Sequence, residues 1–96
     1  MPKLDIHNRI IIPTFFREEL SWKLPKTVYI CYDNELDMIF ITDKEFSYSN
    51  FVITTRSIDS KGRLSLPKEC LKLINASHGD IFAFLMKENK IYIKKV

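Results

Sequence analysis

The sequence predicts a mostly β fold with short helices, built from two β-β-α-β-β repeats. Three observations carry that expectation. A shift of 54 residues lays IDSKGRLSLP, from Ile58 to Pro67, over LDIHNRIIIP, from Leu4 to Pro13. Each of these stretches runs into a proline followed by a short amphipathic segment. Each copy then closes with two runs rich in Val, Ile, Tyr and Phe around a polar turn, the composition of paired strands.

In the aligned stretches Asp5 falls on Asp59, Arg9 on Arg63 and Pro13 on Pro67, and Leu4, Ile10 and Ile12 fall on Ile58, Leu64 and Leu66. After the proline, Phe16 and Leu20 are four residues apart, as are Cys70 and Ile74. Both segments therefore read as helices of about two turns, and proline suits a first helical turn because its missing N–H has no intrahelical partner there. The first copy continues as TVYICY, DNEL and DMIFIT, the second as IFAFLM, KENK and IYIKK, with a slip of about two residues that a loop absorbs. Each half thus reads strand, turn, strand, short helix, strand, turn, strand. The expected organisation is one pseudo-dimeric domain over residues 1–96, with repeat 1 over about 1–43, a linker over about 44–50 and repeat 2 over about 51–96. The stretch Phe51 to Thr55 is expected to begin the second copy's first strand. Neither half is long enough to bury a sufficient core alone, so the two are expected to complete each other.

Composition bounds the function. With 46% hydrophobic and 28% charged residues and only two glycines, the chain has a globular rather than a disordered makeup. No apolar run approaches a membrane span. The N-terminal stretch lacks the layout of a signal peptide, so the chain is expected to be cytoplasmic. Cys31 and Cys70 lack metal-ligand spacing and sit among apolar neighbours, as buried reduced thiols do. His7 and His78 are isolated, and no nucleophile–base pair, phosphate-binding glycine loop or ligand cluster is visible. Neither an enzyme nor a metal or cofactor site is expected. Trp22, Phe15 and Phe16 are expected to seal the core or a subunit interface.

Charge is unevenly spread. The net +3 resolves into +2 over residues 1–26, −4 over 27–55 and +5 over 56–96. Two basic segments around an acidic middle point to a one-faced charge distribution and make a polyanion a plausible partner.

The turn Asp59-Ser60-Lys61-Gly62-Arg63 has its own chemistry. An aspartate opening a turn accepts hydrogen bonds from backbone N–H groups about two residues on. A glycine late in the turn supplies a positive φ. The first copy has Asn8 at that place, the residue next most tolerant of left-handed geometry. Asp and Arg four apart are placed to form an ion pair. Such an exposed pair is worth under about 1 kcal/mol, so its expected role is to aim the guanidinium.

DSKGRLSLPKE resembles the core motif of the AbrB/MazE/SpoVT swapped-hairpin DNA-binding domains, and two copies in one chain are similar to the MraZ arrangement. The resemblance spans nearly the whole chain in outline and is sharpest from Asp59 to Glu69 and at Gly79-Asp80. Arg17, four after Pro13, matches a frequent family arginine. Leu71 stands where the second copy would carry that arginine, and His7-Asn8 stands where the first would carry Lys-Gly. The resemblance implies a swapped-hairpin, double-psi-type small barrel, either formed within one chain or swapped with a second chain in a homo-oligomer. It implies a nucleoid-associated transcriptional regulator whose Arg9, Lys61 and Arg63, with Arg17, face double-stranded DNA. Arginine binds phosphate or guanine edges bidentately and lysine adds a point charge, which agrees with those roles. Lys3, Arg56 and Lys68 lie near the motifs and are candidate phosphate contacts. Asp5, Asp59, Gly62 and Asn8 organise the turns.

The plainer account of Arg9 and Arg63 is a structural ion pair with the motif aspartate, that of Lys61 a solvated turn lysine, and that of Arg17 a helix arginine paired with a nearby glutamate. Two alternatives to a DNA-binding regulator are the antitoxin of a toxin–antitoxin pair and a protein-interaction module of the same fold without DNA binding. The acidic stretch from Asp33 to Glu45 would suit a basic protein partner.

Overall fold

The computed structural model describes residues 2–44 and 51–96. The expected linker, about 44–50, lies outside them apart from Lys44. The chain is mostly β with two short helices. Repeat 1 supplies β1 (Arg9–Ile11), α1 (Thr14–Glu19), β2 (Lys26–Asp33) and β3 (Met38–Thr42). Repeat 2 supplies β4 (Phe51–Ile58), β5 (Arg63–Ser65), α2 (Lys68–Leu73), β6 (Phe82–Lys87) and β7 (Lys90–Lys95). All described pairings are antiparallel: β1 with β5 in a two-stranded ribbon, and a five-stranded sheet in the order β4-β2-β3-β7-β6.

The counterpart of β4 in repeat 1 is a bridge between Lys3 and Ile81; at the offset of 54 only Arg56, Ser57 and Ile58 of β4 have counterparts among the described residues, Pro2, Lys3 and Leu4. Pro2 has no N–H to give a ladder, although its carbonyl still accepts from Phe82 N–H at 2.9 Å. Shifted by 54 residues, the Lys3–Ile81 bridge is the Ser57–Thr27 pair of β4 and β2.

The repeats interleave. The strand ahead of each motif turn pairs with the strand that follows the helix of the other repeat, β4 on β2 and Lys3 at the start of β6. In the ribbon, Arg9 lies opposite Ser65, Ile10 opposite Leu64 and Ile11 opposite Arg63. That register maps onto itself when the repeats are exchanged, so a pseudo-twofold axis passes through the Ile10–Leu64 pair. A second self-mapping register joins β3 to β7, centred on Phe40 and Tyr92. Those two residues are 52 apart, which is the expected slip of two.

Both helices begin after a proline with φ near −60° and end alike. Ser21 (φ 57°) and Asn75 (φ 53°) take the left-handed conformation. The next residues, Trp22 and Ala76, donate back to the carbonyls of Arg17 and Leu71 at 2.9 and 2.8 Å. This is the Schellman closure, which satisfies carbonyls left over at a helix end.

The alternation of β3 and β7 sends Ile39, Ile41, Ile91 and Ile93 to the main core, where they meet Ile10 and Leu64 from the ribbon. Eight of its buried side chains come from each repeat. At about 1.5–3 kcal/mol for each large apolar side chain buried, neither repeat holds its hydrophobic stabilisation without the other. Trp22 is buried in this core and Phe16 packs on it, while Phe15 is exposed with its ring edge-on to Phe16. Cys31 packs with Phe40 and Tyr92 in a separate cluster, and both cysteines are buried free thiols. Within the acidic stretch, Asp33 is buried and structural. It accepts from Tyr92 Oη and from the N–H groups of Glu35 and Leu36.

Among the described residues no helix is long and apolar enough to cross a membrane, and no group of three His, Cys, Asp or Glu side chains is placed to hold a metal ion.

Candidate nucleic-acid interface

The motif turns are built identically. In the first, Asp5 Oδ1 accepts from the N–H groups of His7 and Arg9, both at 2.8 Å. In the second, Asp59 Oδ1 accepts from Lys61 and Arg63, both at 2.9 Å. The backbone closes each turn in the same way, Asn8 N–H to Asp5 C=O at 3.0 Å and Gly62 N–H to Asp59 C=O at 2.9 Å. The fourth residue has positive φ, 60° at Asn8 and 83° at Gly62, which turns the chain so that the N–H of the following arginine also reaches the carboxylate.

The second carboxylate oxygen of each aspartate holds the arginine. Nε of Arg9 lies 2.9 Å from Asp5 Oδ2, and Nε of Arg63 lies 2.7 Å from Asp59 Oδ2. At Asp5, partial burial pushes the carboxyl pKa up. Hydrogen bonds from the Arg9 N–H, the Arg9 side chain and the His7 N–H, with the Arg9 charge, outweigh it and hold the group below the usual carboxylate value. At Asp59 the Arg63 N–H leads, opposed by burial and reinforced by the Arg63 side chain and the Lys61 N–H, with the same result. Both aspartates are therefore charged at neutral pH.

The ribbon places the two arginines on one face. Ile10 and Leu64 point into the core, so Arg9, Ile11, Arg63 and Ser65 line the outer side. Arg9 and Arg63 are diagonal neighbours across the pseudo-twofold axis, about 7–8 Å apart at Cα by sheet geometry. Each has its Nε engaged. The terminal guanidinium nitrogens of both have no partner among the described residues. A planar fork held at its base and free at its tip is suited to bidentate recognition of an anion or a base edge.

The structure separates the other candidates by role. Lys61 and His7 are exposed at matching places on the turn tips. Arg17 is a buttress: its Nε donates to Ile12 C=O at 3.0 Å and Nη2 to Thr14 Oγ1 at 2.8 Å. Its guanidinium also covers Gly62, Cζ lying 3.3 Å from where a Cβ would stand. Leu71, the matching residue of α2, is buried in the core. Arg56 is exposed and folds back on Thr54 Oγ1 and Thr55 C=O at 2.9 Å. Lys3 and Lys68 are exposed on elements that flank the ribbon. Gly79-Asp80 shapes a neighbouring turn instead, with Gly79 at φ 92° and Asp80 Oδ2 accepting from Ser77 N–H at 2.8 Å.

Sequence reasoning missed the backbone link between the two sites. Ile12 N–H donates to Gly62 C=O and Leu66 N–H to Asn8 C=O, both at 2.8 Å, so each turn is fastened to the strand leaving the other. Comparison with protein-family models, with curated proteins and with solved structures gives no match to this chain.

Proposed function

We propose that this chain is a DNA-binding transcriptional regulator of the AbrB/MraZ type, using the outer face of the β1–β5 ribbon to engage duplex DNA. On this reading the two interleaved repeats form a swapped-hairpin, double-psi-type barrel within one chain, working in the cytoplasm at the nucleoid. The observation that carries the proposal is the pair of equivalent Asp–Arg turns set about a pseudo-twofold axis on one exposed face. Duplex DNA has local twofold symmetry in its backbones, and its major groove admits a two-stranded ribbon. Arginines already oriented by carboxylates lose little freedom on binding. Arg9 and Arg63 are assigned to base edges or phosphates, Lys61 to a phosphate at the turn tip, and Lys3, Arg56 and Lys68 to flanking phosphates. Arg17 holds the Lys61–Gly62 turn in shape.

The test is fluorescence anisotropy of a labelled random duplex at several salt concentrations, for the wild type and for Arg9→Glu/Arg63→Glu. Binding that weakens steeply with salt and collapses in the double variant, with an unchanged circular dichroism spectrum, is the expected result. Absence of wild-type binding at about 50 mM salt would reject the reading.

Two exposed apolar side chains favour a second reading. Ile11, 54% exposed, lies on the ribbon face opposite Arg63, and Ile6, 74% exposed, lies in the first turn. Apolar groups beside arginines also suit a protein partner, as for an antitoxin or an assembly module. Ile11→Ser with full DNA affinity, together with loss of a protein captured by the wild type, would favour that reading.

A further inference from the structure

Helix α2 carries two cations that α1 lacks. Lys68 and Lys72 are exposed, four residues apart and thus on one helix face, and neither ammonium has a partner among the described residues. With Leu71, Asn75 and Ala76 they line a shallow, open groove of about 260 Å³. The corresponding residues of α1, 54 positions earlier, are Thr14 and the exposed Glu18.

The chain crossover decides which end of the ribbon these lysines serve. The bond from Leu66 N–H to Asn8 C=O and the pairing of Ser65 with Arg9 bring the start of α2 to the first motif turn. At the other end, Arg17 of α1 covers Gly62 of the second turn. The first turn has His7 where the second has Lys61. The turn without a lysine thus adjoins the helix with two, and the turn with Lys61 adjoins the helix bearing Glu18.

We propose that the Lys68–Lys72 face of α2 is a phosphate-contact site for the same duplex. It would supply at the Arg9 end the backbone charge that Lys61 supplies at the Arg63 end. This rests on the DNA-binding reading and adds Lys72, beside the open groove along α2, to the contacts already assigned. Two ammonium groups on one helix face neutralise two phosphates and release their counterions.

The experiment compares wild type, Lys68→Ala/Lys72→Ala and Arg9→Glu/Arg63→Glu by anisotropy on one random duplex between about 50 and 200 mM salt. The lysine variant should bind about ten- to a hundredfold more weakly near 0.1 M salt, with a log–log slope shallower by about 1.8. Its melting curve should match the wild type, since both lysines are exposed. A lysine variant with the wild-type slope overturns the α2 site alone, provided that wild type binds and the arginine variant does not. No binding by wild type overturns both readings. Glu18→Lys, which gives α1 one of the charges of α2 and leaves the Thr14–Arg17 bond in place, should tighten binding and steepen the slope; unchanged affinity would count against helix faces as phosphate contacts.

Discussion

Replacing Gly62 by alanine tests the turn and its buttress together. Two costs add. At φ 83° an L-residue is disfavoured by about 1–2 kcal/mol relative to glycine. The new Cβ would also lie 3.3 Å from Arg17 Cζ, 3.4 Å from Nη2 and 3.5 Å from Nε. Arg17 must give by a few tenths of an ångström, against hydrogen bonds of 3.0 Å to Ile12 C=O and 2.8 Å to Thr14 Oγ1. Such bonds are worth about 0.5–1.5 kcal/mol net each, so a slight lengthening forfeits a fraction of that. The stiffer unfolded chain returns about 0.4–1 kcal/mol. The balance is a loss of about 1–2 kcal/mol, or a fall in Tm of about 4–16 °C for a domain of this size. Gly62→Asn should cost less, because Asn8 holds the same turn at φ 60° in repeat 1. Urea unfolding followed by circular dichroism at 25 °C measures both. In an Arg17→Ala background the contact cost disappears and only the backbone cost remains, so the penalty of Gly62→Ala should shrink. An alanine variant as stable as wild type, or an asparagine variant less stable than the alanine one, would show that neither the left-handed backbone nor the Arg17 contact constrains position 62.

Other expectations concern the titratable groups. Because the pKa values of Asp5 and Asp59 are lowered in the folded chain, their contribution is complete above the unfolded value of about 3.9 and is lost as pH falls through the lower folded values. The stability gap between wild type and Asp59→Asn should close below about pH 4; a gap constant from neutral to strongly acid pH would contradict the ion-pair geometry. Burial pushes the Cys31 thiol up to about 11 and the Cys70 thiol up to about 12. At pH 8 their thiolate fractions are then about 10⁻³ and 10⁻⁴. An aromatic disulfide reagent should titrate neither thiol promptly in the native protein and both in urea; fast reaction of either in the native state would contradict its placement.

Local features were legible in the sequence because they depend on short spacings. The Asp-x-x-x-Arg turn, the exchange of Gly62 for Asn8 and the helix after each proline rest on contacts within about five residues. The slip of two in the repeat also reappears as the Phe40–Tyr92 pairing. What the sequence did not disclose is nonlocal. Nothing in either copy says that β4 pairs with β2, or that Arg17 would cover a turn 45 residues away. Read by offset alone, Arg17 was a candidate contact and Leu71 a lost one. In space Arg17 donates to Ile12 C=O just past β1 and covers Gly62 of the other repeat, whereas Leu71 is buried in the core.

On the proposed reading, the ribbon and its two turns form the DNA-facing surface. Backbone amide NMR shifts, followed as a short duplex is titrated into ¹⁵N-labelled protein, map that surface residue by residue. The largest changes are expected at His7, Arg9, Lys61 and Arg63, continuing into Lys68 and Lys72. Changes confined to the far side of the five-stranded sheet, around Leu85 and Val52, or no changes on saturation with duplex, would contradict it.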